Sequence, residues 1–115
     1  MTFDPSEFLR LARSLATKSD LDEAEARTVV SRCCYALFLR AREALTAERL
    51  VTPTSSGRDH ALVTRALQQA NPFAGAVLGI LRDQRNRSDY DLAATVDARL
   101  AREAVSLAQA ASDEL

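Results

Sequence analysis

The sequence predicts an all-α fold: an antiparallel up-and-down bundle of four to five helices in one domain spanning residues 1–115. Three observations predict it. The 115 residues include only three glycines and three prolines. No segment alternates apolar and polar residues for long, as a half-buried strand would. Apolar residues instead recur at spacings of three and four through most of the chain, the period of a helix with one buried face.

The first helix is predicted to start at Asp4. Asp4-Pro5-Ser6-Glu7 offers a capping oxygen, a proline at the first helical position and a glutamate at the third. Phe8, Leu11, Ala12 and Leu15 form its stripe, and Thr17-Lys18-Ser19 ends it. Ser19 or Asp20 is expected to cap a second helix running to about Leu50, with Asp22, Glu23 and Glu25 in its first turns, where the helix dipole favours acids. One face carries Ala26, Val30, Cys33, Leu37, Ala41 and Ala44; a second patch holds Tyr35, Ala36 and Leu39. A helix apolar on two sides needs two partners, here the domain's own core and a candidate second subunit.

Thr52-Pro53-Thr54-Ser55-Ser56-Gly57 reads as a loop. A third helix follows over roughly Arg58 to Gln69, with Val63, Ala66 and Ala70 inward. Asn71-Pro72 breaks the chain. A fourth runs from about Pro72 to about Arg87, with Phe73, Val77, Ile80 and Leu81 inward, and Ser88 to Asp91 extends or bends it. The last spans roughly Ala94 to Ala111, presenting Val96, Leu100, Ala104, Leu107 and Ala111. Short loops make consecutive helices antiparallel neighbours.

Composition narrows the function classes. Apolar residues make up 47% and charged residues 27% of the chain, against a disordered protein. The longest uncharged apolar run, Cys33 to Leu39, is far too short to span a bilayer. The opening MTFDPSEFLR lacks a basic-then-apolar leader, so a cytoplasmic protein with no membrane partner is expected. Net charge is −1, against a generally basic nucleic-acid coat. Lys18 is the only lysine among 15 basic residues. One histidine, His60, and two adjacent cysteines cannot supply an ordinary four-ligand zinc site; no metal and no cofactor is expected. Cys33 and Cys34 cannot make a disulfide framework and read as small buried apolar groups.

The most informative stretch is Leu81 to Leu92, LRDQRNRSDYDL. On a helix, Arg82, Arg85 and Asp89 share a face, with Asn86 and Tyr90 on the adjoining strip. Arg85 flanks the apolar stripe and is expected to be half-buried, where a planar five-donor group suits phosphate or carboxylate recognition. The alternative is that Arg82 and Arg85 pair with Asp89 and hold the helix end. Asp83, Asp89 and Asp91 offset the arginines within the same ten residues, so an RNA site here must come from geometry, two copies across a dimer axis turning arginines inward.

These residues carry a resemblance. Ser31-Arg32-Cys33-Cys34-Tyr35-Ala36-Leu37-Phe38 resembles the S-R-x-x-Y-A-x-F signature of prokaryotic HEPN-domain proteins, and Arg85-Asn86 with Asp89-Tyr90-Asp91 resembles that family's R-N-x-x-D-Y-D segment. His60, after a Ser/Gly loop and before a helix, stands where these small proteins tend to carry a histidine. The resemblance covers about Ser19 to the end. It implies a four- or five-helix bundle that dimerises, and a metal-independent endoribonuclease of a toxin–antitoxin or phage-defence system. The family's site is an R-x(4–6)-H motif with a polar residue after the Arg, two copies meeting at the dimer interface. A small nucleotidyltransferase often serves as antitoxin.

Carried over, Arg85 takes the Arg position, Asn86 the polar position and Tyr90 the His position. That last is a departure, because a phenol is a poor general base at neutral pH. His60 could supply the base, taking the proton of a ribose 2′-OH while Arg85 steadies the phosphate and Asn86, Asp89 and Tyr90 position substrate. The bland alternative has His60 bonding a backbone carbonyl at a helix start. Two further readings stay open: a non-catalytic HEPN domain that binds a nucleotidyltransferase, a nucleotide or RNA, with Tyr90 a target for nucleotide transfer, and a plain helical scaffold.

Overall fold

The computed structural model describes residues 2–115. Five helices account for the fold: α1 (Ser6–Ala16), α2 (Glu23–Ala47), α3 (Arg58–Ala70), α4 (Pro72–Tyr90) and α5 (Ala98–Ser112). They form a globule of 43 × 28 × 26 Å. Each consecutive pair packs together, as the short connections require. No helix among the described residues is long and apolar enough to cross a membrane.

Local chemistry sets the helix ends. Helix α1 begins at Ser6, not Asp4: Pro5 takes the N-cap position without a side-chain cap, and Asp4 Oδ1 accepts from the Ser6 amide at 3.0 Å just ahead of the helix. Helix α2 begins three residues after the candidate cap Asp20. Asp20 and Glu23 share the D-x-x-E spacing of Asp22 and Glu25, but the reciprocal box forms at Asp22 and Glu25. Asp22 Oδ1 accepts from the Glu25 amide at 2.8 Å, and Glu25 Oε1 accepts from the Asp22 amide at 3.1 Å. The helix ends at Ala47 rather than near Leu50, as Arg49 turns to a positive φ of 61°. Asn71 caps α4, its Oδ1 accepting from the Ala74 amide at 3.0 Å, with Pro72 at the first position. Helix α5 starts at Ala98, not Ala94: Asp97 is its cap, accepting from the Leu100 amide at 2.9 Å.

Helix α4 runs one turn past the expected Arg87 because α2 caps it. Arg27 Nη1 donates to the carbonyls of Arg87, Ser88 and Asp91 at 3.2, 3.0 and 3.0 Å. Arg27 Nη2 reaches the Ala94 carbonyl at 2.6 Å and pairs with Glu23 at 2.9 Å. One guanidinium thus gathers four carbonyls at and beyond the end of α4, two of which, those of Arg87 and Asp91, also accept from the Asp91 and Ala94 amides.

Helix α2 touches all four others, which form an arc around it in the order α1, α5, α4, α3. The chain's own helices thus cover much of the apolar surface of α2, while Tyr35 and Leu39 of the second patch are only half-buried. Ala26, Val29, Val30, Cys33, Cys34, Leu37 and Ala41 are fully enclosed. Ala36, in the second patch, is buried as well, with Leu9 of α1 and Gln109 of α5 nearby. Because α1 and α3 do not meet, the arc is open on one flank of α2.

Helix α4 buries Ala74, Val77, Leu78 and Leu81. Phe73 and Ile80, expected inward, are exposed. They lie roughly 100° round the helix from the buried line. Ala70, at the end of α3, is also exposed, and so is Leu11 of α1. Where α3 crosses α4, Gly75 has no room for a side chain: a Cβ there would sit 2.4 Å from Gln68 Cα.

Candidate functional site

The candidate site forms where the arc is open. Arg32, Tyr35, Phe38 and Arg42 are spaced by three, three and four along α2, so they share one face. Arg32 lies between two rings, its guanidinium carbon 5.3 Å from the centroid of Phe8 (α1) and 4.8 Å from that of Tyr35. Arg85, from α4, sits 5.4 Å from the same Tyr35 ring, and its Nη1 donates to the Tyr35 hydroxyl oxygen at 3.1 Å. The guanidinium carbon of Arg42 is 5.7 Å from the centroid of Phe38.

His60 completes the cluster. It stands in the first turn of α3, held there by its neighbour. The buried Asp59 carboxylate gathers the preceding loop, accepting from the Thr54 amide and hydroxyl at 3.0 and 2.6 Å and from the Ser55 amide at 3.2 Å. The Thr54 hydrogen bonds are the main reason the Asp59 carboxyl titrates below its ordinary value. The His60 ring then stacks on Phe38 at 3.9 Å with a 15° tilt, and meets Tyr35 edge-on at 6.1 Å. Burial pushes its pKa down, and the charges of Arg85, Arg82 and Arg42 push the same way against Asp59. His60 is therefore neutral at physiological pH, the form a general base requires. Its Nδ1 is buried with no hydrogen-bond partner, so that nitrogen does not bond a helix-start carbonyl. Arg85 Nε is likewise buried and unpartnered.

The structure brings Arg85, Asn86 and His60 to one neighbourhood through Tyr35. Arg85 is half-buried, as expected, and the exposed Asn86 accepts from Arg85 Nη2 at 2.9 Å, steering the guanidinium. Asp89 goes elsewhere: it accepts from Ser31 of α2 at 3.2 Å. Among the described residues, neither Arg82 nor Arg85 lies within 4.0 Å of a carboxylate, so the expected ion pair with Asp89 does not form. Tyr90 also lies apart. Five residues after Arg85 in an unbroken helix, it points roughly 140° away, is 73% exposed, and lines a groove with Arg27, Ser31, Arg32 and Asp89.

Sequence reasoning missed Arg32, Phe38 and Arg42 as site residues and left Tyr35 between core and dimer contact. The signal was the regular interleaving of arginine and aromatic residues along one face of α2, a pattern that suits nucleic-acid phosphates and bases. The acids that offset Arg82 and Arg85 in the sequence do not do so in space. Asp83 is exposed and points about 160° from Arg85 around α4. Asp91 accepts from the Ala93 amide beyond the helix end. Burial raises the Cys33 thiol pKa to about 12 and that of Cys34 to about 11, which makes them inert core groups rather than nucleophiles.

No known protein family, curated protein or solved structure matches this chain.

Proposed function

We propose that this chain is a HEPN-type, metal-independent endoribonuclease of a toxin–antitoxin or phage-defence system, acting as a homodimer. One observation carries the reading: a neutral, half-buried histidine beside an uncompensated arginine, each with a buried nitrogen lacking a partner. In the proposed step, His60 takes the proton from a ribose 2′-OH. The 2′-oxygen attacks phosphorus and the bond to the 5′-oxygen breaks, leaving a 2′,3′-cyclic phosphate. Arg85, steered by Asn86, bears the charge that builds on the phosphoryl oxygens. The Tyr35 hydroxyl, whose oxygen already accepts from Arg85, donates its own proton to the leaving 5′-oxygen.

The purified protein should cut single-stranded RNA in EDTA, and Arg85→Ala and His60→Ala should each lower the rate about 100-fold or more. Intact RNA at high enzyme concentration would refute the reading.

The exposure of Tyr90 favours a second reading, a non-catalytic HEPN domain regulated by a nucleotidyltransferase. There the Tyr90 hydroxyl attacks the α-phosphorus of a nucleoside triphosphate held by that partner, with pyrophosphate leaving. A nucleotide-sized mass increase on the Tyr90 peptide after co-expression, with no RNA cleavage by the free chain, would favour it over the first.

A further inference from the structure

The proposed step uses Arg85 and leaves Arg32 without a task, although the two guanidiniums share the ring of Tyr35. Arg32 is fixed rather than loose: Phe8 flanks it on α1, Tyr35 flanks it on α2, and its Nη2 donates to Ser31 Oγ at 3.3 Å. Among the described residues no carboxylate lies within 4.0 Å of either cation. The nearest acid in the bonding network is Asp89, one hydroxyl removed through Ser31. Two like charges held on one aromatic ring repel each other, and an anion spanning both relieves that repulsion.

We propose that Arg32 forms a second phosphate position beside Arg85, so that the site reads two consecutive phosphodiesters of a single RNA strand. The inference rests on the reading of Arg85 as the first phosphate position and adds the direction of the bound strand. The chain passes from Arg85 along the α2 face toward the groove lined by Ser31, Arg32, Asp89 and Tyr90. A guanidinium stacked between rings presents its edge donors to a phosphate while its faces stay covered, an arrangement a lysine cannot reproduce.

Calorimetric titration with ligands that cannot be cleaved tests this. The probes are 2′-O-methyluridine 5′-monophosphate, the 5′-phosphorylated 2′-O-methyl dinucleotide and uridine diphosphate. The wild-type protein should bind the dinucleotide roughly tenfold more tightly than the mononucleotide. Arg32→Gln should abolish that gain, lowering dinucleotide affinity about tenfold and mononucleotide affinity much less. It should also lower the salt slope for the dinucleotide by about 0.7, one phosphate contact on a single strand. Arg32→Met, which keeps the apolar stem between Phe8 and Tyr35, should behave the same way and guards against misfolding of the first variant. An undiminished gain in a folded variant at position 32 overturns the inference, as does a gain for uridine diphosphate without one for the dinucleotide. Arg85→Gln separates the two ideas. If it leaves mononucleotide binding intact, the reading of Arg85 fails with it; if it weakens that binding while the variants at position 32 change nothing, only the second position is lost.

Discussion

Replacing Arg27 with alanine should destabilise the protein more than any other single surface-charge deletion. Its side chain is only 17% exposed and donates to four backbone carbonyls, those of Arg87, Ser88, Asp91 and Ala94. A hydrogen bond from a charged donor contributes about 1.5–3 kcal/mol when its partner would otherwise be stranded. Two of the four acceptors sit where water cannot easily replace the donor, since the bonds to Ser88 and Ala94 are part-buried. The others can be rehydrated and count for little. The expected loss is therefore about 3–5 kcal/mol, with the ion pair to the half-exposed Glu23 adding almost nothing. Urea unfolding followed by circular dichroism measures it, and hydrogen exchange locates it: amides of residues 87–91 should lose protection before those of α2. Arg27→Lys should recover less than half, because an ammonium cannot fork across carbonyls of two segments. A loss below about 1 kcal/mol for Arg27→Ala would refute the reasoning, showing that α4 keeps its last turn without this cap.

The two α4 glycines should respond oppositely to alanine. At Gly75 the new methyl meets the Gln68 backbone at 2.4 and 2.6 Å, forcing α3 from α4 at a cost of about 1–3 kcal/mol, whereas at Gly79 nothing lies within 4 Å and helix propensity should stabilise by about 0.5–1 kcal/mol; equal losses in urea melts would contradict the crossing geometry. His60 should make stability depend on pH. Its folded pKa lies below its unfolded value, so the unfolded chain binds the extra proton: stability is full above about pH 6.5 and falls as pH drops toward 5. As the only histidine, it should account for most of the change in that range, with a slope no steeper than about 1.4 kcal/mol per pH unit, and His60→Phe should flatten it; an unchanged profile in that variant would show that burial does not hold the ring neutral.

The helix starts were legible only in part: the true caps of α2 and α5, Asp22 and Asp97, stand close to other polar residues that offer the same capping chemistry. Asn71-Pro72 marked α4 to the residue, and the loop from Thr52 to Gly57 separated α2 from α3 as read. What failed was information that lives between helices. Phe73 and Ile80 are as apolar as Leu78 and Leu81, and hydropathy alone does not choose between two adjoining lines of one helix. The choice was made by small residues, Ala74 and Gly75, which let neighbouring helices come close on their side. Likewise the length of α4 was decided by Arg27, sixty residues away from Arg87 in sequence. The site was half legible for the same reason. Arg85, Asn86 and His60 have unusual chemistry for their positions. Arg32 gains its second ring only when α1 brings Phe8 to it, and Phe38, the ring beside Arg42, gains its stacked partner only when α3 brings His60.

A chain of net charge −1 can still hold a strongly positive site, because charge balance along a sequence says nothing about which side of a helix each charge occupies. Here α2 and α4 contribute arginines toward the open flank, while Asp83 faces away and Asp89 is engaged by Ser31. Burial is the main reason that the His60 pKa is lowered, and the same arginines that would attract a phosphate push it in the same direction. The two properties are linked. An anion that screens Arg85 and Arg82 must raise the proton affinity of His60, and by reciprocity a protonated His60 must strengthen anion binding. In the proposed reaction the histidine gains a proton as negative charge grows on the phosphoryl group, so each event favours the other. On the proposed reading, an open arc of helices with arginines turned into its gap thus couples the charge of a bound phosphate to the protonation of His60.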